Sequence, residues 1–141
     1  MSRVAVVTGG IGGLGTAMCK ALIEQGRKAV AVDYNGLSAE VVDKWKAARK
    51  AEGLDIPVYL ADVTSFESCA EVCKKIEADV GPIDILVNNA GTIRRADALE
   101  FTEDDWDAVV GVNLKTAFFL AQAVAREMVA DGRSGKIINI V

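Results

Sequence analysis

The amino-acid sequence predicts an α/β fold in which helices cover both faces of a doubly wound parallel sheet. Short apolar runs rich in β-branched residues alternate along the chain with longer segments of helical periodicity. Gly, Pro, Asp and Asn separate these segments. The apolar runs are nearly continuous, as is typical of strands buried on both faces, and parallel pairing needs crossover helices on either side. We therefore expect a single domain over residues 1–141.

The apolar runs predict strands at residues 4–7, 29–32, 58–61, 83–87 and 136–141. Apolar residues that recur every three or four positions mark the helices between them. The first helix follows a glycine-rich loop and ends at Gly26. The second helix covers residues 38–52, and its predicted inward residues are Val41, Val42, Trp45 and Ala48.

The second half of the chain predicts two further helical stretches. Thr64 and Glu67 have the spacing of a capping box that begins a helix, and Gly81 with Pro82 ends it. A long stretch begins at Thr102, and its predicted inner face comprises Trp106, Val110, Leu114, Ala117, Ala121, Val124 and Met128. The three cysteines, Cys19, Cys69 and Cys73, fall on inner faces and are predicted core thiols; the alternative is a soft-metal site shared by Cys69 and Cys73.

Composition excludes several classes of function. Sixteen Lys and Arg against 20 Asp and Glu give a net charge of -4, which leaves no broad basic face for nucleic acid or an anionic membrane. The absence of histidine removes Ser-His-Asp catalysis and the common zinc sites, so no metal is predicted. The N-terminus does not resemble an export signal and no run approaches 18 apolar residues, so we expect a cytoplasmic protein.

The segment TGGIGGLG at residues 8–15 lies between the first strand and the first helix. Glycines permit a sharp turn, remove Cβ atoms from the path of a ligand and expose backbone N–H groups at the positive end of a helix. This pattern predicts binding of a dinucleotide pyrophosphate, and the alternative is a glycine-rich turn without a ligand. A Walker-type loop is excluded because no GK[ST] follows.

Asp33 follows the second strand, 18 residues after Gly15, near the interval at which this fold brings an acid beneath the adenosine ribose. A carboxylate there accepts hydrogen bonds from the ribose hydroxyls and repels a 2′-phosphate. Its neighbours Tyr34 and Asn35 carry no positive charge. The sequence therefore favours NAD(H) over NADP(H), whereas the alternative is an Asp that only caps the next helix.

Four segments together resemble the N-terminal half of the short-chain dehydrogenase/reductase family: TGGIGGLG, DVT at 62–64, NNAG at 88–91 and VNL at 112–114. The resemblance covers the whole chain and implies a Rossmann-like sheet of order 3-2-1-4-5, with the C-terminal part of the usual domain absent. It implies that Asn113 is catalytic, maintaining the active-site water and positioning a lysine. The cofactor-binding residues it implies, together with Asp33, are Gly9, Ile11, Gly13, Leu14, Gly15, Asp62, Val63, Asn88, Asn89, Ala90 and Gly91.

Within the family, residues 1 to about 80 resemble acetoacetyl-CoA reductases, and residues from about 88 to 140 resemble dehydrogenases of 2-deoxygluconate and 3-deoxy-keto sugar acids. The resemblance implies NAD(P)-dependent reduction of a ketone to a secondary alcohol by a homo-oligomer, a tetramer in the family. A 3-oxoacyl-CoA is the first substrate candidate and a keto sugar acid the second; a non-catalytic dinucleotide-binding module is the third possibility. Arg94 and Arg95 could attract an anionic substrate or be solvated loop residues.

In the family, the strand that matches KIINIV is followed by a catalytic Ser and a YxxxK helix. The tyrosines here are Tyr34 and Tyr59, and neither is followed by Lys four residues later. We therefore expect a fragment that carries the cofactor half and one of four catalytic residues, and that is inactive alone.

Overall fold

The computed structural model describes residues 2–141 and contains one sheet of five parallel strands. The strands are β1 (Val4–Thr8), β2 (Lys28–Tyr34), β3 (Val58–Ala61), β4 (Ile83–Asn88) and β5 (Lys136–Asn139). Their order in the sheet is β3-β2-β1-β4-β5, which confirms the predicted order. The helices are α1 (Gly13–Glu24), α2 (Ala39–Ala51), α3 (Phe66–Asp79), α4 (Glu103–Val110) and α5 (Thr116–Ala130), and a π-helical turn, Gly111–Lys115, joins α4 to α5.

The two faces of the sheet carry separate cores because successive side chains of a strand point to opposite faces. On one face, Val4 and Val6 of β1 pack with buried residues of α3 and α5. On the other face, Ala5 and Val7 pack with Cys19 of α1. All five residues of β1 are buried, as a central parallel strand covered on both sides requires.

The strand order reverses at β1, which pairs with β2 on one side and β4 on the other. The crossover through α1 runs to β2, and the chain later returns to the far side of β1 to form β4. In such sheets the loops that leave the two central strands part in opposite directions and open a crevice at the carboxyl edge. The fold therefore places a crevice beyond Thr8 and Asn88.

The predicted capping box of α3 is wrong by one residue. The N-cap is Ser65, whose hydroxyl accepts the N–H of Ser68 at 3.3 Å. Thr64 instead belongs to a turn that follows β3, in which its N–H and its hydroxyl both donate to Asp62 Oδ1.

Several predicted inward residues are exposed. Val41 and Ala48 of α2 face solvent, and α2 contributes no buried residue. Trp106 and Leu114 are 61% and 66% exposed. The π-helical turn explains part of this difference, because an extra residue in the turn shifts the helical phase. Val124 and Met128 of α5 are buried, as predicted. The rest of its buried face is Thr116 and Leu120, whereas the predicted Ala117 and Ala121 are only partly buried.

The helical stretch Glu103–Ala130 is long and apolar enough to cross a membrane. Core helices of soluble proteins can have the same length and composition. Here α5 packs against the sheet, with Leu120 and Val124 almost fully buried.

The three cysteines are buried thiols, as predicted. Burial raises the pKa of Cys19 to about 11 and that of Cys73 to about 12. The pKa of Cys69 is also raised to about 11, mainly by burial, and its thiol lies 3.2 Å from Val63 O. These thiols are therefore protonated at neutral pH and act as small apolar groups. Residues 2–141 contain no group of three or more His, Cys, Asp or Glu side chains arranged to hold a metal ion.

Arg133, just after α5, fastens the amino edge of the sheet. Its guanidinium donates to Ile83 O at 3.0 Å and has a side-chain exposure of 20%. The carboxylates around it are Glu77 at 3.4 Å, Asp84 at 3.5 Å and Asp131 at 3.0 Å.

Two of these carboxylates hold the first residues of neighbouring strands. Asp84 Oδ2 accepts the N–H of Val4 at 3.0 Å, and Glu77 Oε1 accepts the N–H of Ile83 at 3.1 Å. Arg133 therefore neutralises the acids that fix where β1 and β4 begin.

Replacing Arg133 by Met should lower the free energy of unfolding by about 2 kcal/mol, because the variant leaves partly buried acids without their cation. Urea denaturation followed by circular dichroism measures this loss. Arg126→Met, at an exposed position of α5, is the matched control and should have little effect. An equal loss in both variants, or none in either, would contradict the role of Arg133.

Candidate functional site

The hydroxyl of Thr8 joins the carboxyl ends of β1 and β4. Thr8 is 1% exposed, and its Oγ1 accepts the N–H groups of Asn89 at 3.0 Å and Ala90 at 2.9 Å. The side-chain amide of Asn89 donates in turn to Thr8 O at 3.2 Å. These bonds hold the segment after β4 against the start of the glycine-rich loop.

The glycine-rich loop needs glycine at three positions for different reasons. At Gly10 a Cβ would collide with Ala31 of β2. Gly9 has φ of +63°, in the left-handed region, and its absent Cβ would lie 3.3 Å from Ala90 Cα. At Gly15 a Cβ would collide with the carbonyl oxygen of Gly9. Gly9 thus permits close packing on the segment after β4, and Gly15 permits α1 to begin directly behind the loop. A Cβ at Gly13, in contrast, would meet no atom within 4 Å, so this residue faces open space.

Asp33, in the last residues of β2, touches the glycine-rich loop. Its Oδ2 accepts the N–H of Ile11 at 3.2 Å, and its Oδ1 accepts the N–H of Tyr34 at 2.8 Å. The carboxylate is therefore fixed in orientation beside the loop, at the far side of β1 from the segment after β4.

A cleft of about 970 Å³ runs along the carboxyl edge of the sheet between these groups. Six of the predicted site residues line it: Gly9, Asp33, Asp62, Val63, Ala90 and Gly91. The cleft thus extends from the end of β2 past the switch point to the π-helical turn, where Gly111 and Val112 form its wall.

The other predicted residues lie around the cleft rather than in its lining. Ile11, Gly13, Leu14 and Gly15 belong to the loop and the first turn of α1, and Leu14 is 69% exposed. Asn88 ends β4 and Asn89 follows it; the amide of Asn88 donates to Ala117 O at 3.1 Å and to Asn139 Oδ1 at 3.0 Å.

Asn113 lies in the π-helical turn and binds the backbone of Thr92 from both sides. Its Oδ1 accepts the Thr92 N–H and its Nδ2 donates to Thr92 O, each at 2.9 Å. Both polar ends of the side chain are used, so Asn113 fixes the course of the chain after Gly91.

Several residues in or beside the cleft have no site role that the sequence motifs predict. Thr8 is the first residue of the motif TGGIGGLG, and its position directly after a predicted strand is the sequence feature that could have indicated its role. Asp107 of α4 and Lys115 of the π-helical turn also line the cleft; for this stretch the sequence predicts only an inner apolar face. Thr116 is 2% exposed and its hydroxyl lies 2.8 Å from Val63 O, which joins α5 to the loop after β3.

The charges along the cleft are unevenly distributed. Its lining contains the acids Asp33, Asp62 and Asp107 and the cations Arg94 and Lys115. Arg94 lies beyond the segment after β4, where it contacts Asp105 at 3.5 Å and Ile93 O at 3.0 Å. Arg94 is thus on the β4 side of the cleft, whereas Lys115 lies in the π-helical turn, beside the loop after β3 that carries Asp62.

A family model described as short chain dehydrogenase matches residues 3–141. An acetoacetyl-CoA reductase of Allochromatium vinosum is 44% identical over 140 residues, which are 99% of this chain and 56% of that protein. A 2-dehydro-3-deoxy-D-gluconate 5-dehydrogenase of Dickeya dadantii is 41% identical over 138 residues, 98% of this chain and 53% of that protein. The chain spans about half the length of these curated relatives.

Solved structures agree with the family match. A gluconate 5-dehydrogenase from Burkholderia cenocepacia in complex with NADP and tartrate superposes with a TM-score of 0.84 at 39% identity, covering 99% of this chain and 53% of that one. An NAD+-bound xylitol dehydrogenase gives a TM-score of 0.84 at 32% identity, covering 97% of this chain and 52% of that one. With its switch-point cleft, its glycine-rich loop and these matches, the chain belongs to the short-chain dehydrogenase family.

Proposed function

We propose that this chain supplies the dinucleotide-binding part of an NAD(H)-dependent oxidoreductase that interconverts a ketone and a secondary alcohol. The observation that carries the proposal is the cleft at the switch point, bounded by the glycine-rich loop, Asp33 and the segment after β4. Ligands in parallel α/β sheets bind at such a crevice. The match to the short-chain dehydrogenase family and its NADP-bound and NAD+-bound relatives supports the same assignment.

The residues present fit a dinucleotide. Gly9 leaves the loop without a side chain where it approaches Ala90, and Gly13 faces open space at the start of α1, where unpaired N–H groups favour an anion. In the proposal the pyrophosphate lies over this loop, with the first turn of α1 around it. Asp62 and Val63 flank the adenine, while Asn89, Ala90 and Gly91 extend along the cofactor toward the nicotinamide.

Asp33 supports the choice of NAD(H). Its carboxylate is held by Ile11 N–H and lines the cleft beside Tyr34 and Asn35. These two neighbours carry no positive charge, Arg94 follows β4, and Lys115 belongs to the π-helical turn. A 2′-phosphate beside Asp33 would place like charges together, whereas ribose hydroxyls can donate to the carboxylate.

The nicotinamide cofactor, when bound, supplies or accepts the hydride. The part of the protein described here orients that reaction. Asn113 fixes the backbone of Thr92 next to Gly91, so the wall of the cleft at its reactive end has one defined course. We assign Asn113 a positioning role in turnover on this geometry.

Our first substrate candidate is a 3-oxoacyl-CoA such as acetoacetyl-CoA, on the similarity to acetoacetyl-CoA reductases. A keto sugar acid is the second candidate, because Arg94 lines the cleft and a guanidinium can bind a carboxylate. Both are small molecules, and we expect the intact protein to be a cytoplasmic homo-oligomer, by analogy with the family.

The intact protein that contains this sequence should oxidise NADH in the presence of acetoacetyl-CoA, measured by the loss of NADH absorbance. 5-Keto-gluconate tests the second candidate in the same assay and should react more slowly. Turnover of the sugar acid alone would replace the first candidate by the second. Tight NADH binding without turnover of either substrate would instead favour a dinucleotide-binding module.

Calorimetric titration should show tighter binding of NADH than of NADPH. Replacing Asp33 by Ser should weaken NADH binding about tenfold, because hydrogen bonds to a charged acceptor are lost, and should narrow the difference between the two cofactors. Asp43→Ser, on the exposed side of α2, removes a carboxylate outside the cleft lining and should leave the preference for NADH intact. Equal or tighter binding of NADPH by the unmodified protein would refute the ribose role of Asp33.

Replacing Asn113 by Ala should lower kcat at least about tenfold, because misplacement of a reactive centre is costly, while the Kd for NADH changes little. Steady-state kinetics and NADH titration measure the two effects. Gln25→Ala removes a comparable amide at the far end of α1 and serves as the control. A parallel loss of kcat and of NADH affinity would indicate general disruption of the cleft instead.

A further inference from the structure

A chain of hydrogen bonds runs from α2 into the glycine-rich loop. The indole Nε1 of Trp45 lies 2.9 Å from Thr16 Oγ1, and that oxygen lies 2.6 Å from the carbonyl oxygen of Gly12. An indole N–H can only donate, so the Thr16 hydroxyl accepts from Trp45 and directs its own proton to Gly12. The direction of the chain is therefore fixed by chemistry: Trp45 donates to Thr16, and Thr16 donates to Gly12.

The peptide group between Gly12 and Gly13 is the target of this chain. The Gly12 carbonyl also accepts the backbone N–H of Thr16 at 2.8 Å, so two donors hold it toward the body of α1. The peptide group is planar, and its N–H points opposite to its C=O. Fixing the Gly12 carbonyl therefore aims the Gly13 N–H out of the helix end, toward the open space beside Gly13.

Trp45 is itself held firmly enough to act as the first donor. Its half-buried ring packs against the core cluster that contains Cys19 and Ala31, on the α1 face of the sheet. The guanidinium of Arg49 lies 5.4 Å from the ring centroid, and Glu52 pairs with both Arg49 at 3.2 Å and Lys20 of α1 at 2.8 Å. These contacts place α2 beside α1, with the indole N–H directed at Thr16.

We propose that Trp45 is a positioning residue for nucleotide binding: through the Thr16 hydroxyl it orients the Gly12–Gly13 peptide so that the Gly13 N–H faces the cofactor phosphates. The inference rests on the proposed function, since it assigns Trp45 of α2 a role in binding at the same dinucleotide site. Trp45 acts only through Thr16, which distinguishes this role from a general contribution of the ring to packing.

A double-mutant cycle tests this coupling with NADH as the ligand. Trp45→Phe keeps an aromatic ring but removes the donor, and should raise the Kd for NADH about fivefold, the effect of one hydrogen bond. Thr16→Val should weaken binding at least as much, and Trp45→Phe should then have no further effect in the Thr16→Val background. Thr16→Ser retains the hydroxyl and should bind NADH more tightly than Thr16→Val does.

Trp106→Phe is the matched control, because it removes the same N–H from an exposed tryptophan of α4 and should leave the Kd unchanged. Thermal unfolding of every variant reports packing separately. Additive effects of Trp45→Phe and Thr16→Val on Kd, or an unchanged Kd in Trp45→Phe, would overturn this inference while leaving the proposed function intact. Failure of the unmodified protein to bind either NADH or NADPH would overturn both.

A second measurement needs no nucleotide. In proton NMR of the free protein, the Trp45 indole N–H should exchange with solvent more slowly than that of Trp106, and Thr16→Val should remove this protection. Unprotected exchange at Trp45 in the unmodified protein would contradict the hydrogen-bond chain on which the inference depends.

Discussion

The buried hydroxyl of Thr8 is the contact on which the cleft depends. In a parallel sheet, neighbouring strands end side by side, and the loops that leave them diverge when the strand order reverses. Thr8 prevents β1 and β4 from separating further at this point, because its Oγ1 accepts two backbone N–H groups from the segment after β4. The left-handed conformation of Gly9 then turns the chain away at once. The cleft therefore begins at a tight junction rather than at a loose gap between two loops.

Two other contacts between polar side chains and backbone also shape the cleft. Asp33 binds the loop at Ile11, and Asn113 binds both polar groups of the Thr92 backbone. At the opposite edge of the sheet, Arg133 neutralises the acids that hold the first residues of β1 and β4. The two edges of the sheet are thus stabilised differently. A cluster of charged side chains holds the strand starts at the amino edge, and neutral or singly charged side chains shape the cleft at the carboxyl edge.

The π-helical turn connects the core to the cleft. Because it inserts an extra residue before α5, the face of α5 that packs on the sheet begins at Thr116, whose hydroxyl also reaches the loop after β3. The same turn places Gly111, Val112 and Lys115 in the wall of the cleft. One local change of helical geometry therefore serves both packing and the site, which is a common association for π-helical turns.

The sequence by itself determined the elements of this protein and which of their ends carry polar residues. Alternating apolar runs and helical segments predicted all five strands, and the motifs TGGIGGLG, DVT, NNAG and VNL indicated the family of the protein. These features are local: a strand buried on both faces must be apolar throughout, and a loop that turns at once after a strand needs glycine.

Only the tertiary structure decided which helix faces are buried and which groups hold one another. Leu114 follows the predicted helical period but faces solvent, because it lies in the π-helical turn, which shifts that period and which no local sequence pattern marked. Trp106 precedes this turn and is exposed on α4. The Thr16 hydroxyl bonds to Trp45, which is 29 residues away in the sequence, and Asn113 bonds to Thr92, which is 21 residues away. Such hydrogen-bond partners come together only when whole helices pack on the sheet. That packing depends on the summed burial of many side chains rather than on the two residues that form the bond.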